Sequence, residues 1–177
     1  MLNLGSNQDE LYREAAATYR SALYRLAQAY ELDPDRRRDL LQDIHFALWR
    51  SLALYESRCS LRTWVYRVAH NTAASYVIRQ RRTGLQALAS LEELDALPGA
   101  ADHARDADQR LALDRLLALI HKLRPFDRQL MLLYLEGMDG ASIGEIAGIS
   151  PGNVRIQILR IKRVLARRFH GGEYHES

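Results

Sequence analysis

One cysteine stands in this chain of 177 residues, so no intrachain disulfide can form, and a cysteine-based zinc site would lack ligands. Long apolar runs are missing too. The longest, Leu130 to Leu135, falls far short of the ~20 residues that a membrane-spanning helix needs. The first residues lack the charged-then-apolar pattern of an export signal, so the expected setting is a reducing cytoplasm without membrane insertion. No His-Glu-x-x-His motif, phosphate-cradling glycine loop or nucleophile elbow occurs, and His170 and His175 fall in a glycine-bearing tail. Neither metal, cofactor nor enzymatic activity is expected. Strands with period-two alternation are absent as well, which leaves an all-α chain.

Acidic residues are missing where the bases gather. None lies between Ser150 and His170, a stretch holding Arg155, Arg160, Lys162, Arg163, Arg167 and Arg168. Ser150 is a natural N-cap, Pro151 suits the first helical position, and Gly148 lets the chain reverse ahead of them. On a helical wheel Val154, Ile158, Ile161 and Leu165 share one face, while the cations fan across the other. With the short helix expected from Ile143, this is the pattern of a helix-turn-helix DNA reader.

The formal charge of +3 is distributed unevenly. Arg58, Arg62, Arg67, Arg79, Arg81 and Arg82 face only Glu56 in residues 53–82, whereas residues 83–108 oppose six acids with Arg105 alone and are broken by Pro98 and Gly99. Helical periodicity covers Leu11 to Tyr30, Arg38 to Leu54, Leu61 to Arg81, Ala107 to Leu123 and Phe126 to Glu136. The expected organisation is two small helical domains, residues 8–82 and 107–170, joined by an acidic flexible linker over 83–106 and followed by a flexible tail at 171–177. Leu85, Leu88, Leu91, Leu94 and Leu97 recur every third position, so parts of that linker have the means to form transient helix against a domain or a partner.

Two stretches of the first domain carry a family resemblance. Asp39-Leu40-Leu41-Gln42-Asp43-Ile44-His45-Phe46-Ala47-Leu48-Trp49-Arg50 resembles the D-L-x-Q-[DE]-x-F-x-x-[LA]-W-[RK] run with which bacterial sigma factors hold RNA polymerase, departing from it at His45 and Ala47. Tyr55 to Arg82, with its core Thr63-Trp64-Val65-Tyr66-Arg67-Val68-Ala69-His70-Asn71, is similar to the promoter-melting helices of the extracytoplasmic-function group of sigma factors. The resemblance implies a region-2-like domain, a region-4-like helix-turn-helix domain, and a non-enzymatic subunit that takes core polymerase to promoters and helps open them. It implies core contacts at Asp39, Gln42, Asp43, Trp49 and Arg50, made to the beta-prime clamp helices, with the beta flap as a second polymerase partner. For the minus-ten DNA it implies Arg62, Tyr66, Arg67, Asn71, Arg79, Arg81 and Arg82, with Asn71 receiving a flipped base through its amide and Trp64 assigned to packing. Cations and amides interleaved in this way suit an unwound strand on chemical grounds as well.

For the minus-thirty-five duplex the resemblance implies Arg155, Ile156, Leu159, Arg160, Lys162 and Arg163, where Ile156 reaches at most a thymine methyl. An anti-sigma factor is a further implied partner. Cys59 is read as an inert residue in a turn. Two other functions stay open from sequence alone: a stand-alone helix-turn-helix regulator of duplex DNA, and a sigma-like decoy that binds polymerase without opening promoters.

Overall fold

In a computed structural model the described residues are 4–82, 84, 90–96 and 109–169, and they form helices with no strand among them. Most of the linker, residues 85–89 and 97–106, and the tail at 171–177 lie outside the described residues, as do Leu85, Leu88, Leu97, His170 and His175. The chain divides into two compact units, Met1–Arg82 and Thr83–Ser177.

The first unit holds α1 (Leu4–Thr18), α2 (Arg20–Tyr30), α3 (Pro34–Leu52) and α4 (Leu61–Arg82). Where the hydrophobic pattern reads as one helix from Leu11 to Tyr30, the backbone breaks at Tyr19, with φ −103° and ψ 10°. No glycine or proline marks that break, since the apolar period continues through it. α3 starts earlier than periodicity suggests, because Asp33 accepts from the backbone N–H groups of Asp35 and Arg36 at 3.0 and 2.9 Å and Pro34 occupies the first turn. Leu40, Ile44, Leu48 and Leu52 of α3 are buried, as are Val65, Ala69, Ala73 and Val77 of α4. Their small and β-branched side chains allow close packing of the two helices.

A buried polar knot ties this unit together. The Glu31 carboxylate accepts the Tyr76 hydroxyl at 2.6 Å and the Asp33 N–H at 2.9 Å, and pairs with Arg36 at 3.3 Å. Burial, and then the Glu31 hydrogen bond, push the Tyr76 phenol well above its ordinary range, so it stays protonated and donating.

The second unit holds α5 (Leu91–Ala96), α6 (Gln109–Lys122), α7 (Pro125–Leu135), α8 (Gly140–Ala147) and α9 (Pro151–Phe169). Its core gathers Ile120, Leu123, Leu130, Leu133, Ile143, Ile146, Val154, Ile158, Ile161 and Leu165. α8 is capped by Asp139, which accepts from Ala141 and Ser142 N–H at 2.9 and 3.0 Å. It ends at Gly148 in the left-handed conformation, φ 73°. The turn is tight: Gly148 and Ile149 both donate to the Gly144 carbonyl, at 2.8 and 3.1 Å.

A Cβ on Gly144 would lie 2.5 Å from the Ile149 carbonyl oxygen, a backbone atom that cannot swing away. Gly144→Ala is therefore expected to destabilise the unit by about 1–3 kcal/mol through overpacking, against the ~1 kcal/mol that alanine gains in helix propensity. Circular dichroism across a urea titration checks it, and a midpoint equal to or above that of the parent chain contradicts the close approach.

Candidate polymerase and nucleic-acid surfaces

Each unit presents its own surface. On α3 the exposed residues Asp39, Gln42, Asp43, Phe46, Trp49 and Arg50 recur at helical spacings of three and four, which sets them on one face opposite the buried leucines. Phe46 is 59% exposed and Trp49 39%, with their rings stacked at 6.5 Å and the Arg50 guanidinium 5.6 Å from the Phe46 ring. Exposed aromatics flanked by carboxylates and an arginine make a surface suited to a partner, since a solitary exposed ring needs no explanation but a stacked pair is a patch. Phe46 joins this exposed patch and was not among the candidate residues drawn from the sequence. Its three-residue spacing to both Asp43 and Trp49 was the available signal.

α1 braces this face from the side. The Trp49 indole N–H donates to Asp9 at 2.9 Å, and Gln8 donates to the Trp49 carbonyl at 2.8 Å. His45, at the position where the family run has an aromatic, turns inward: its Nδ1 meets the Tyr12 hydroxyl at 3.1 Å, and the two rings pack edge to face. Burial, reinforced by Arg20, pushes its pKa down and keeps the imidazole neutral.

On α4, Arg67, Asn71, Ser75, Ile78 and Arg82 share a face by their spacing of three to four, and Asn71, Arg81 and Arg82 are exposed. Arg62 sits on another flank, 5.8 Å from the centre of the Tyr66 ring. Tyr66 is only 3% exposed, packed against the rings of Tyr19 and His70, so its face is not open to a base and it belongs with the core. Trp64 is half-buried, its indole N–H donating to Ser51 at 3.0 Å and its ring 5.4 Å from that of Tyr55. Arg79 reaches Asp43 at 3.6 Å, so the face on α3 and the cations on α4 are electrostatically linked within this unit. Cys59 lies half-buried in the loop between α3 and α4, where its carbonyl accepts the Tyr55 hydroxyl at 2.7 Å.

α9 buries Val154, Ile158, Ile161 and Leu165, together with Val164, which the sequence reading had not placed inward. Ile156 is 63% and Leu159 56% exposed, with Arg155 and Arg163 exposed beside them. Lys162 and Arg160 lie on opposite flanks. The Lys162 ammonium contacts the Tyr134 hydroxyl at 3.2 Å and sits 5.0 Å over its ring, whereas Arg160 pairs with Glu92 of α5. The Ser150 hydroxyl caps the helix by accepting from the Asn153 N–H at 3.3 Å. An exposed cationic helix, seated after a tight turn on a shorter capped helix, has the form needed to enter a major groove with its first turns foremost.

Among the described residues no group of three His, Cys, Asp or Glu side chains is placed to hold a metal ion, and no helix is long and apolar enough to cross a membrane.

Residues 15–83 match the family Sigma-70 region 2, and residues 113–165 match Sigma-70, region 4. The RNA polymerase sigma factor CarQ of Myxococcus xanthus is 32% identical over 123 residues, covering 69% of this chain and 68% of its own length. The ECF RNA polymerase sigma-E factor of Escherichia coli K12 is 27% identical over 140 residues, 72% of this chain and 70% of its own. The solved structure of CnrH in complex with the cytosolic domain of CnrY covers 92% of this chain and 90% of its own at TM-score 0.64 and 20% identity. That of RpoE with the anti-sigma factor NepR from Bartonella quintana covers 90% and 96% at TM-score 0.64 and 17% identity. At such identities these two show the fold alone. Two sigma regions in order along the chain, and a sigma factor one-third identical over two-thirds of its length, establish that the chain belongs to the extracytoplasmic-function group of RNA polymerase sigma factors.

Proposed function

We propose that this sigma factor directs core RNA polymerase to a defined set of promoters and helps to open them, with the three surfaces dividing the work. The observation that carries the reading is that the exposed face of α3 is acidic and aromatic, whereas those of α4 and α9 are cationic. Asp39, Gln42, Asp43, Phe46, Trp49 and Arg50 form the core-binding face, taken by the beta-prime clamp helices, while the second unit meets the beta flap. α9 reads the minus-thirty-five duplex, with Arg155 on base edges, Ile156 and Leu159 on thymine methyls, and Arg160, Lys162 and Arg163 on phosphates.

Opening falls to α4. Asn71 takes a flipped minus-ten base, while Arg67, Arg81 and Arg82 follow the displaced backbone; Tyr66 is left out because it is buried. Arg79 joins them once polymerase cations take up the Asp43 carboxylate with which it is paired. Binding single-stranded over duplex DNA shifts the melting equilibrium by the difference in affinity, and catalysis stays with the polymerase. The Bartonella sigma factor of similar fold is in complex with an anti-sigma factor, and we extend such a partner to this chain, where it would cover the exposed faces of α3 and α9.

Asn71→Ala is expected to leave duplex binding by the holoenzyme intact and to cut opening about tenfold or more, because a base edge loses its hydrogen-bonded receptor. Permanganate reactivity of minus-ten thymines measures this directly. Reactivity equal to that of the parent holoenzyme contradicts the role given to Asn71.

A further inference from the structure

Helix α5 lies within the acidic segment that precedes the reader, yet it is built and seated. Ser90 and Glu93 form a reciprocal capping box: the Glu93 N–H donates to the Ser90 hydroxyl at 3.1 Å, and the Ser90 N–H donates to the Glu93 carboxylate at 2.6 Å. A six-residue helix is too short to persist alone, so its order comes from what it packs on. Leu91 and Leu94 are buried, 5% and 1% exposed. On the flank beside them Glu92 pairs with Arg160, and Asp95 pairs with Arg167 at 2.7 Å. The two arginines are seven residues apart on α9, two turns along one flank, and the two acids are three apart on α5. Glu92 is held below the usual carboxylate range by its own backbone N–H and by Arg160.

The acids therefore occupy Arg160, which the reading above sends to a DNA phosphate, and Arg167 two turns further along the same flank. We propose that α5 is a charge clasp on the reader: in the free chain it fills the Arg160–Arg167 flank of α9, and duplex DNA must displace it to seat that helix fully in the groove. The proposal rests on α9 being the DNA reader. Its consequence is that the free subunit binds DNA more weakly than its cationic helix alone would, so stray binding away from polymerase is held down. Both ion pairs are partly exposed, so they exchange readily for phosphate and are weakened by salt. The two leucines give the clasp its seat, while the acids make it compete.

The test uses the full chain without polymerase and a fluorescent random-sequence duplex of about 30 base pairs at low salt, because a clasp over phosphate contacts is sequence-independent. Affinity is read by anisotropy for the parent chain, for Leu91→Ala/Leu94→Ala, which changes no charge, for Glu92→Gln/Asp95→Asn, and for the charge-matched control Asp114→Asn/Glu145→Gln. The leucine pair and the α5 charge pair are each expected to bind about fivefold tighter than the parent, with the control within about twofold of it. If circular dichroism shows that the leucine pair has unfolded the unit, the α5 charge pair against its control decides alone. A gain no larger than that of the control overturns the clasp while leaving α9 as a DNA reader. Binding by none of the chains overturns both.

Discussion

Replacing Arg128 by leucine is expected to unfold the second unit under conditions that leave the first intact. Arg128 is the largest fully buried side chain among the described residues, 0% exposed, and its guanidinium donates to the His121 carbonyl and, at 2.9 Å, to that of Leu123. These carbonyls lie at the end of α6, where the last turn has no intrahelical partners and a positive charge is favoured by the helix dipole. Leucine fills comparable apolar space but leaves the carbonyls buried without donors. The expected loss is about 3 kcal/mol or more, a large part of what a small unit has. With a urea slope of about 1–3 kcal/mol per molar, the midpoint for that unit falls by about 1–3 M. Both tryptophans of the chain, Trp49 and Trp64, lie in the first unit, so their fluorescence reports that unit alone. Circular dichroism is expected to lose part of its amplitude early while the tryptophan transition stays put. Coincident, unshifted transitions contradict the role assigned to Arg128.

Asp43→Lys is the second change with a large expected effect. Asp43 sits in the middle of the exposed face of α3 and offers its carboxylate 3.6 Å from Arg79. Lysine removes the acid that core polymerase is proposed to hold and sets a cation against both the partner's cations and Arg79. Like charges brought together at an interface cost several kcal/mol, so affinity for core polymerase is expected to fall about a hundredfold. Folding stability is expected to change by less than about 0.5 kcal/mol, since the position is exposed and its single ion pair is weak. Asp43→Asn, which removes charge without reversing it, should lose much less. Equilibrium binding to labelled core polymerase separates the three chains; affinities within about threefold of one another would remove Asp43 from the interface.

Much of the fold was legible because the chain marks it with local chemistry. Gly148, Ser150 and Pro151 announce the turn and the start of α9, and each does there what its backbone preference or hydroxyl suggests. The exposed face of α3 followed from spacing, because the burial of Leu40, Ile44 and Leu48 leaves Asp39, Gln42, Asp43 and Trp49 on the other side. What escaped depends on partners outside the helix that carries the residue. The resemblance implied a minus-ten DNA contact at Tyr66, and the packing of Tyr19, from the break between α1 and α2, makes it core. Arg128 carried no sequence sign of burial, because the carbonyls that satisfy it belong to the end of the preceding helix. The acids of α5 read as part of an acidic flexible linker until α9 supplied Arg160 and Arg167, more than sixty residues on.

The most direct measurement is run-off transcription with core RNA polymerase purified from the source organism, on a pool of its own promoter fragments, with and without this protein. Discrete transcripts are expected only when the protein is present, and they should weaken with Asn71→Ala and vanish with Asp43→Lys. An unchanged transcript pattern, together with no binding to core polymerase, would contradict an initiation subunit and leave a duplex-DNA regulator in its place.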